Sequence, residues 1–259
     1  MSSTRLRVGH VPLDLVSFDQ ALDRIEQLVA AKHGGYVVTP NIDHVVLAED
    51  DVRFRAAYED AALSLVDGTP LYWATRVVGQ MAPEKVSGSD LVEPLMSRAG
   101  ARGWKVYLLG AGPGVAEKAG AIFTERYRTR ICGCDAPVLS LNEDDPATQA
   151  AFDKVKAAAP DLLLLALGAP KQEILMYRWA KAYAPAVALG IGASLDFVAG
   201  TVKRAPRWMQ KSGLEWAYRL GQEPRRLWKR YLVNDPRFVK ILAQTMARPR
   251  SERVFEKGS

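Results

Sequence analysis

Asp67 carries the clearest chemical signal in the sequence. It closes the apolar run Leu63-Ser64-Leu65-Val66 and is followed at once by Gly68-Thr69-Pro70. That is the pattern of a buried strand ending in a carboxylate, with a tight turn and a new helix beyond. In open α/β sheets ligands bind outside the carboxyl ends of the strands, so an acid there is well placed for chemistry. Such a residue can serve as a general base, a metal ligand, a ribose anchor or a helix cap.

Three further strand ends carry candidate groups. Thr39-Pro40-Asn41 follows the apolar Tyr36-Val37-Val38. Asn41 reads as the N-cap of the next helix or, together with Thr39, as a polar group sharing a cleft with Asp67. Lys171-Gln172-Glu173 follows Leu167-Gly168-Ala169-Pro170 beyond the most apolar strand. It reads as a solvated first helical turn, with Glu173 favoured by the helix dipole, or as another wall of the same pocket. Gly110-Ala111-Gly112-Pro113-Gly114 joins a strand to a helix. Gly110, Gly112 and Gly114 would let backbone N–H groups approach a phosphate at the helix N-terminus, or would simply make a turn. The full dinucleotide fingerprint is not present, although Asp135 stands near the spacing of a ribose-binding acid.

Metal-free chemistry is favoured and no cofactor is expected. No Asp-x-Asp triplet occurs, and such pairs supply the hard oxygen ligands that hold Mg²⁺ or Mn²⁺. Asp50-Asp51 and Asp144-Asp145 sit in charged surroundings that suit solvation or capping. Three histidines (His10, His33, His44) are too few for a His-rich centre. Cys132 and Cys134 are too close for an ordinary disulfide and too few for zinc, so a structural role and a reduced, cytoplasmic setting account for them.

The elements that must position these residues alternate. Ser17-Phe18-Asp19-Gln20 is a capping-box pattern opening an amphipathic helix that stops near Gly34-Gly35. Strands are expected at Tyr36–Thr39, Leu63–Val66, Lys105–Leu109, Arg130–Gly133, Asp161–Leu167 and Val187–Ile191. Helices are expected over 42–62 with a break near Glu49–Asp51, from Pro70, from a cap at Ser89, and over Val115–Tyr127, Pro146–Ala158 and Gln172–Ala182. Strands separated by helices of this length predict an α/β fold, a parallel sheet covered by helices on both faces, Rossmann-like, over residues 1–200.

The net charge of +6 hides a split. Residues 201–259 carry 15 Lys/Arg and 5 Asp/Glu, whereas the first 200 carry 20 and 24. From Lys203-Arg204-Ala205-Pro206-Arg207-Trp208 onward the pattern becomes short basic helices rich in Trp and Tyr, two of them opened by Pro224 and Pro236. This basic helical appendage (201–259) mixes Trp208, Trp216, Trp228, Tyr218 and Tyr231 with Arg204, Arg207, Arg219, Arg225, Arg226, Lys229 and Arg230. Aromatic rings suit the membrane–water boundary and cations suit headgroups, each Lys or Arg contributing about 1 kcal/mol at an anionic surface. Core anchoring of the rings and nucleic-acid binding by the charge are the competing readings, the latter without a recognised reading motif. No stretch approaches eighteen consecutive apolar residues, and Met1–Arg7 lacks the apolar core of a signal peptide.

Taken together, the segments TPNIDHVVLA, AYEDA, LVDGTPL, VSGSDL, VYLLGAGPGVAEKA, PDLLLLALGAPKQE, IGASLDFVAG, KRAPRWMQKSGLEWAYRL and EPRRLWKRYL resemble the WecG/TagA/CpsF family of bacterial glycosyltransferases (glycosyltransferase family 26), in order, from about residue 36 to 232. The resemblance implies an inverting, metal-independent transfer from a UDP-sugar to a polyprenyl-diphosphate-linked sugar on the cytoplasmic face of the membrane, in cell-surface or exopolysaccharide synthesis. It implies that Asp67 is the catalytic base, with Thr39 and Asn41 near the reacting groups and Gln172 in the cleft. Lys85 stands where the family often has arginine, keeping the charge of a diphosphate contact and losing the planar fork. Glycine-rich turns and tail arginines (Arg204, Arg207, Arg225) would stabilise the departing UDP, and the appendage would dock on the membrane and complete the active site. The competing classes are a nucleotide-dependent oxidoreductase using Gly110–Gly114 and a nucleic-acid-binding protein using the basic tail. No nucleic acid is assigned as a partner, and homo-oligomerisation is left open.

Overall fold

The computed structural model describes residues 4–256, and for Arg207, Lys211 and Arg226 the backbone alone. The chain opens with a hairpin that the sequence reading did not include. Strands β1 (Thr4–Val8) and β2 (Val11–Asp14) pair antiparallel, Val8 opposite Val11 across Gly9-His10. The alternation Arg5-Leu6-Arg7-Val8 carries the strand signal, but Arg5 defies the polar-out rule. It is buried, with Nη2 2.9 Å from Asp14 Oδ2 and donating to the Ala61 carbonyl at 2.8 Å. A buried cation needs such pairing, and the partners come from distant segments.

The body then runs α1 (Phe18–Ala31), β3 (Gly35–Val38), α2 (Ile42–Asp50), α3 (Val52–Asp60), β4 (Leu63–Ser64), α4 (Thr69–Val78), α5 (Gly88–Arg102), β5 (Lys105–Gly110), α6 (Val115–Tyr127) and β6 (Arg130–Asp135). It continues with α7 (Pro146–Ala158), β7 (Leu162–Ala166), α8 (Lys171–Arg178), α9 (Ala180–Tyr183), β8 (Val187–Gly190) and α10 (Ser194–Ala199). Six strands make one parallel sheet in the order β4-β3-β8-β7-β5-β6. Side chains alternate across each strand, so both faces need cover. On β7, Leu163 and Leu165 join a core with Tyr36, Phe152 and Ile174, while Leu162 and Leu164 join one with Ile25, Leu95 and Phe123 on the other face. The expected two-sided α/β sheet is therefore the observed one.

Local chemistry explains the boundaries. The capping box forms, with Ser17 Oγ accepting from the Gln20 N–H and Gln20 Oε1 accepting from the Ser17 N–H. Asp51 breaks the 42–60 region by capping α3, its Oδ1 accepting from Arg53 N at 2.8 Å. Ser87, not Ser89, precedes α5, because Gly88 already adopts the helix. The expected helix over 172–182 divides at Trp179. Regular pairing of β4 stops at Ser64, and Leu65 bridges instead to Asp14.

Beyond Gly200 come α11 (Arg207–Ser212), α12 (Glu215–Gln222), α13 (Pro224–Lys229), a π-helical turn (Arg230–Asn234), α14 (Arg237–Ala247), α15 (Arg250–Arg253) and β9 (Val254–Glu256). The segment is mostly helical, as expected, but its last strand returns to pair antiparallel with β1. The return is fastened by polar contacts. The Gly9 N–H donates to Thr245 Oγ1 at 2.9 Å, Arg248 Nη1 donates to the Gly9 carbonyl at 3.0 Å, and Arg237 clasps Asp50 at 2.7 and 2.9 Å.

Candidate active site

A cleft of about 640 Å³ lies over the carboxyl ends of β4, β3, β8 and β7. Each of these strands hands over to a turn whose first residues face the opening. The end of β3 supplies Thr39 and Asn41, the end of β4 supplies Asp67, the β7–α8 turn supplies Gln172, and the β8–α10 turn supplies Ile191 to Ser194. Lys85 reaches the same cleft from the loop before α5, held where the Val86 N–H donates to the Val66 carbonyl at 2.8 Å. Five residues singled out in the sequence thus converge.

Asp67 is half-buried, and its own N–H donates to the Pro40 carbonyl at 2.9 Å, tying the ends of β3 and β4 together. Burial pushes its carboxyl up to about 6, an effect that Lys85 and a hydrogen bond from Ser87 oppose and Glu215 reinforces. Loss of hydration outweighs the neighbouring ammonium, so the group stands ready to exchange a proton near neutrality.

Asn41 is both the helix cap and part of the cleft. Its Oδ1 accepts from the Asp43 N–H at 3.0 Å, the His44 N–H at 3.4 Å and Arg230 Nη2 at 3.3 Å. With that oxygen committed, what Asn41 offers a ligand is donation from Nδ2. Gln172 is buried and clamped, Nε2 donating to Glu173 Oε1 at 2.8 Å and Oε1 accepting from the Gly192 N–H at 3.1 Å. The clamp needs Gly190, where an added Cβ would stand 2.8 Å from Gln172 Nε2. Glu173 itself is fully buried, and burial pushes its carboxyl up to about 7.

The C-terminal segment closes the other side of the cleft. Glu215, Trp216, Arg219, Glu223, Arg230, Tyr231 and Asp235 all line it. Arg230 opens the π-helical turn, with Nε 3.2 Å from Asp43 Oδ2 and its guanidinium over the Tyr231 ring. Burial pushes the Asp235 carboxyl up to about 6, with Asp43 adding to the rise and Arg230 countering it. His44 lies in the same wall, its Nδ1 2.7 Å from the Tyr58 hydroxyl. Burial, helped by Arg230, lowers its pKa to about 3, so it stays neutral.

Other sequence candidates fall elsewhere. Gly110, Gly112 and Gly114 are not part of the lining. At Gly110 (φ +105°) a Cβ would come within 2.7 Å of the Ala166 carbonyl, so this glycine permits β5 and β7 to approach closely. Asp135 is engaged by Lys154 at 2.8 Å and by the Tyr107 hydroxyl. Arg204 stands behind the lining, with Nη1 donating to Asp90 at 2.7 Å and Nε 3.6 Å from Glu215. Arg225 is exposed on α13, and the side chain of Arg207 lies outside the described residues. Among the described side chains, the arginines that reach the cleft are Arg219 and Arg230, which in the sequence stood out only as basic residues of the tail. Proximity of Trp216 and Tyr231 to them, at ring centroids 5.8 Å apart, had no local signature.

Among the described residues no group of three or more His, Cys, Asp or Glu side chains converges as a metal site, and no helix is long and apolar enough to cross a membrane. A parallel sheet with a polar cleft over its strand ends, holding a carboxylate tuned toward neutrality, defines an α/β enzyme site. Residues 6–252 match the glycosyl transferase WecG/TagA/CpsF family, and the chain belongs to that family of glycosyltransferases.

Proposed function

We propose that this glycosyltransferase moves a sugar from a UDP-sugar to a polyprenyl-diphosphate-linked saccharide, with inversion and without a metal, in the building of a bacterial cell-surface or secreted polysaccharide. The observation that carries the reading is Asp67, at the end of β4 in a cleft large enough for a nucleotide sugar, with its carboxyl raised to about 6. In the reaction, Asp67 takes the proton of the acceptor hydroxyl as that oxygen attacks the anomeric carbon in line with the departing UDP. One displacement inverts that carbon, and proton transfer of this kind contributes about 10²–10⁴-fold. Thr39 and the Nδ2 of Asn41 supply donors beside Asp67, and Gln172, clamped by Glu173 and Gly192, supplies a rigid wall. Lys85, Arg219 and Arg230 provide the positive charge that a leaving diphosphate needs.

The same reading divides the chain near residue 200 into a catalytic α/β unit and an appendage that docks on the inner membrane face. Its support is the exposure of Trp208, Trp228, Leu232 and Val233 on a segment carrying ten more cations than anions. The test is transfer from a panel of UDP-sugars to a short-chain lipid-diphosphate-sugar acceptor, with and without a chelator, and with the product's anomeric configuration read by NMR. Asp67→Asn should fold and lose at least 100-fold in turnover. Near wild-type turnover in that variant, retention of configuration, or abolition by chelator would each refute the corresponding part.

A further inference from the structure

Helix α4 begins at the mouth of the cleft, where Pro70 is part of the lining. Thr69, Trp73 and Val77 follow at spacings of four and so share one face of the helix. Trp73 is 61% exposed, Val77 51%, and Met81, just past the Gly79 cap, 47%. Single exposed apolar residues are ordinary, but Trp73 and Val77 on one helix face, followed by Met81 in the loop just beyond the cap, form an exposed apolar stretch that marks a contact surface. The only charged side chain of α4 is Arg76, which is exposed; the helix carries no carboxylate. The row is continuous with the basic segment, because Gly213 packs on Thr69, where an added Cβ would lie 3.2 Å from Thr69 Cβ. Beside that junction Leu214 and Trp208 are themselves exposed, at 40% and 63%.

We infer that the exposed face of α4 at Trp73 and Val77, with Met81 in the loop that follows, is a second membrane contact, so that the catalytic unit itself rests on an anionic bilayer with the mouth of the cleft turned toward the headgroups. The inference rests on the membrane reading given above and adds to it a surface outside the appendage. Tryptophan beside arginine, with no acid on the helix, matches the bilayer interface, where rings sit at headgroup level and cations meet lipid phosphate. A second copy of this chain fits less well. Pairing across a two-fold axis would set Arg76 and the cationic segment of one copy against their own like charges in the other. The geometry also serves the substrate. A lipid-linked diphosphate held at the surface would enter where α4 starts, two residues after Asp67.

The test compares the full chain with the variant Trp73→Gln/Val77→Gln/Met81→Gln, which keeps good helix formers at the two exposed helix positions, and with Trp208→Gln/Leu214→Gln. Flotation with vesicles of phosphatidylcholine and phosphatidylglycerol should show at least a tenfold loss of binding for the α4 variant. Turnover on a water-soluble short-chain acceptor should stay within twofold of wild type, and turnover on a vesicle-borne acceptor should fall. Independently, a polarity-sensitive dye on Val77→Cys, in a Cys132→Ser/Cys134→Ser background, should shift to the blue with vesicles. If the α4 variant floats like wild type and the dye does not shift while the Trp208/Leu214 variant is released, α4 is not a contact and the appendage reading stands. If the wild-type chain does not float, both fail. A wild-type dimer that the α4 variant turns into a monomer, by light scattering, would identify the face as a self-association surface and overturn the inference.

Discussion

Replacing Asp67 by asparagine should make the protein more stable at neutral pH while removing its activity. Burial raises the Asp67 carboxyl from 3.8 to about 6, and each pKa unit corresponds to 1.36 kcal/mol, giving about 3 kcal/mol. The residue is half-buried and faces an open cleft, so solvent screening reduces this to about 1.5–3 kcal/mol. The sign follows from linkage. A folded-state pKa above the unfolded one means the folded chain holds the proton more tightly, so ionisation disfavours folding. That penalty is nearly absent below the unfolded value near 3.8, grows between 3.8 and 6, and is complete above 6. Asparagine has no proton to lose and escapes it. At about 2–4 °C per kcal/mol for a chain of this size, Asp67→Asn should melt about 3–12 °C above wild type at pH 7.5 and within about 2 °C of it at pH 4. Calorimetry of both proteins across that range is the assay. Glu173 and Asp235 also carry raised pKa values, but both proteins share them and the difference isolates Asp67. A gap independent of pH, or a variant less stable than wild type at pH 7.5, would show that the Asp67 carboxylate is not held at a desolvation cost.

The same proton should shape function: kcat/KM is expected to rise with pH through about 6 as Asp67 ionises, and a profile flat from pH 5 to 8 would remove it as the base. UDP affinity should move oppositely. Among the described residues, five carboxylates (Asp67, Asp196, Glu215, Glu223, Asp235) and three fixed cations (Lys85, Arg219, Arg230) line the cleft, so ionising Asp67 and Asp235 opposes a diphosphate. Calorimetric titration at pH 5 and 7.5 should show weaker binding at the higher pH. Gly190→Ala should displace the Gln172 side chain, whose Nε2 would be 2.8 Å from the new Cβ, and cost tenfold or more in kcat with a melting point lowered by only a few degrees. Unchanged kinetics would mean Gln172 has room to move. Arg230→Met should leave Asp43 and Asp235 without their cation, lowering stability by about 1–3 kcal/mol by thermal unfolding and activity more than Arg225→Met does. Equal effects of the two substitutions would contradict the placement of Arg230.

The fold was legible because its signals are local. Leu162–Ala166 is a short continuous apolar run between two helical segments, the pattern of a doubly buried strand, and Ser17, Asn41 and Asp51 cap by contacts within three residues. The hairpin escaped because its decisive contact is not local. Arg5 reads as a surface residue until Asp14 and the Ala61 carbonyl, 56 positions away, are seen around it. The tail escaped for a related reason. Short helices with cations on several sides have no periodicity that tells one arginine from another, so composition pointed to Arg204 and Arg225 as readily as to Arg230.

By itself the sequence determined that Asp67, Thr39, Asn41 and Gln172 would meet. A parallel α/β sheet brings its strand ends to one edge, and each of these residues lies in the turn or first helical residues that follow a strand. It also determined the family, through a set of ordered segments that no one segment could establish. Tertiary structure decided the other half of the site. The way the C-terminal segment returns over the sheet, fixed by β9 on β1, Arg237 on Asp50 and Thr245 on Gly9, selects Arg219, Arg230, Tyr231 and Asp235 to face the cleft. It also places Gly110, Gly112 and Gly114 outside the cleft lining, with Gly110 at the close approach of β5 to β7. Those outcomes depend on contacts between groups as far apart in sequence as Thr4 and Glu256, whose free energy exists only once the whole chain has folded.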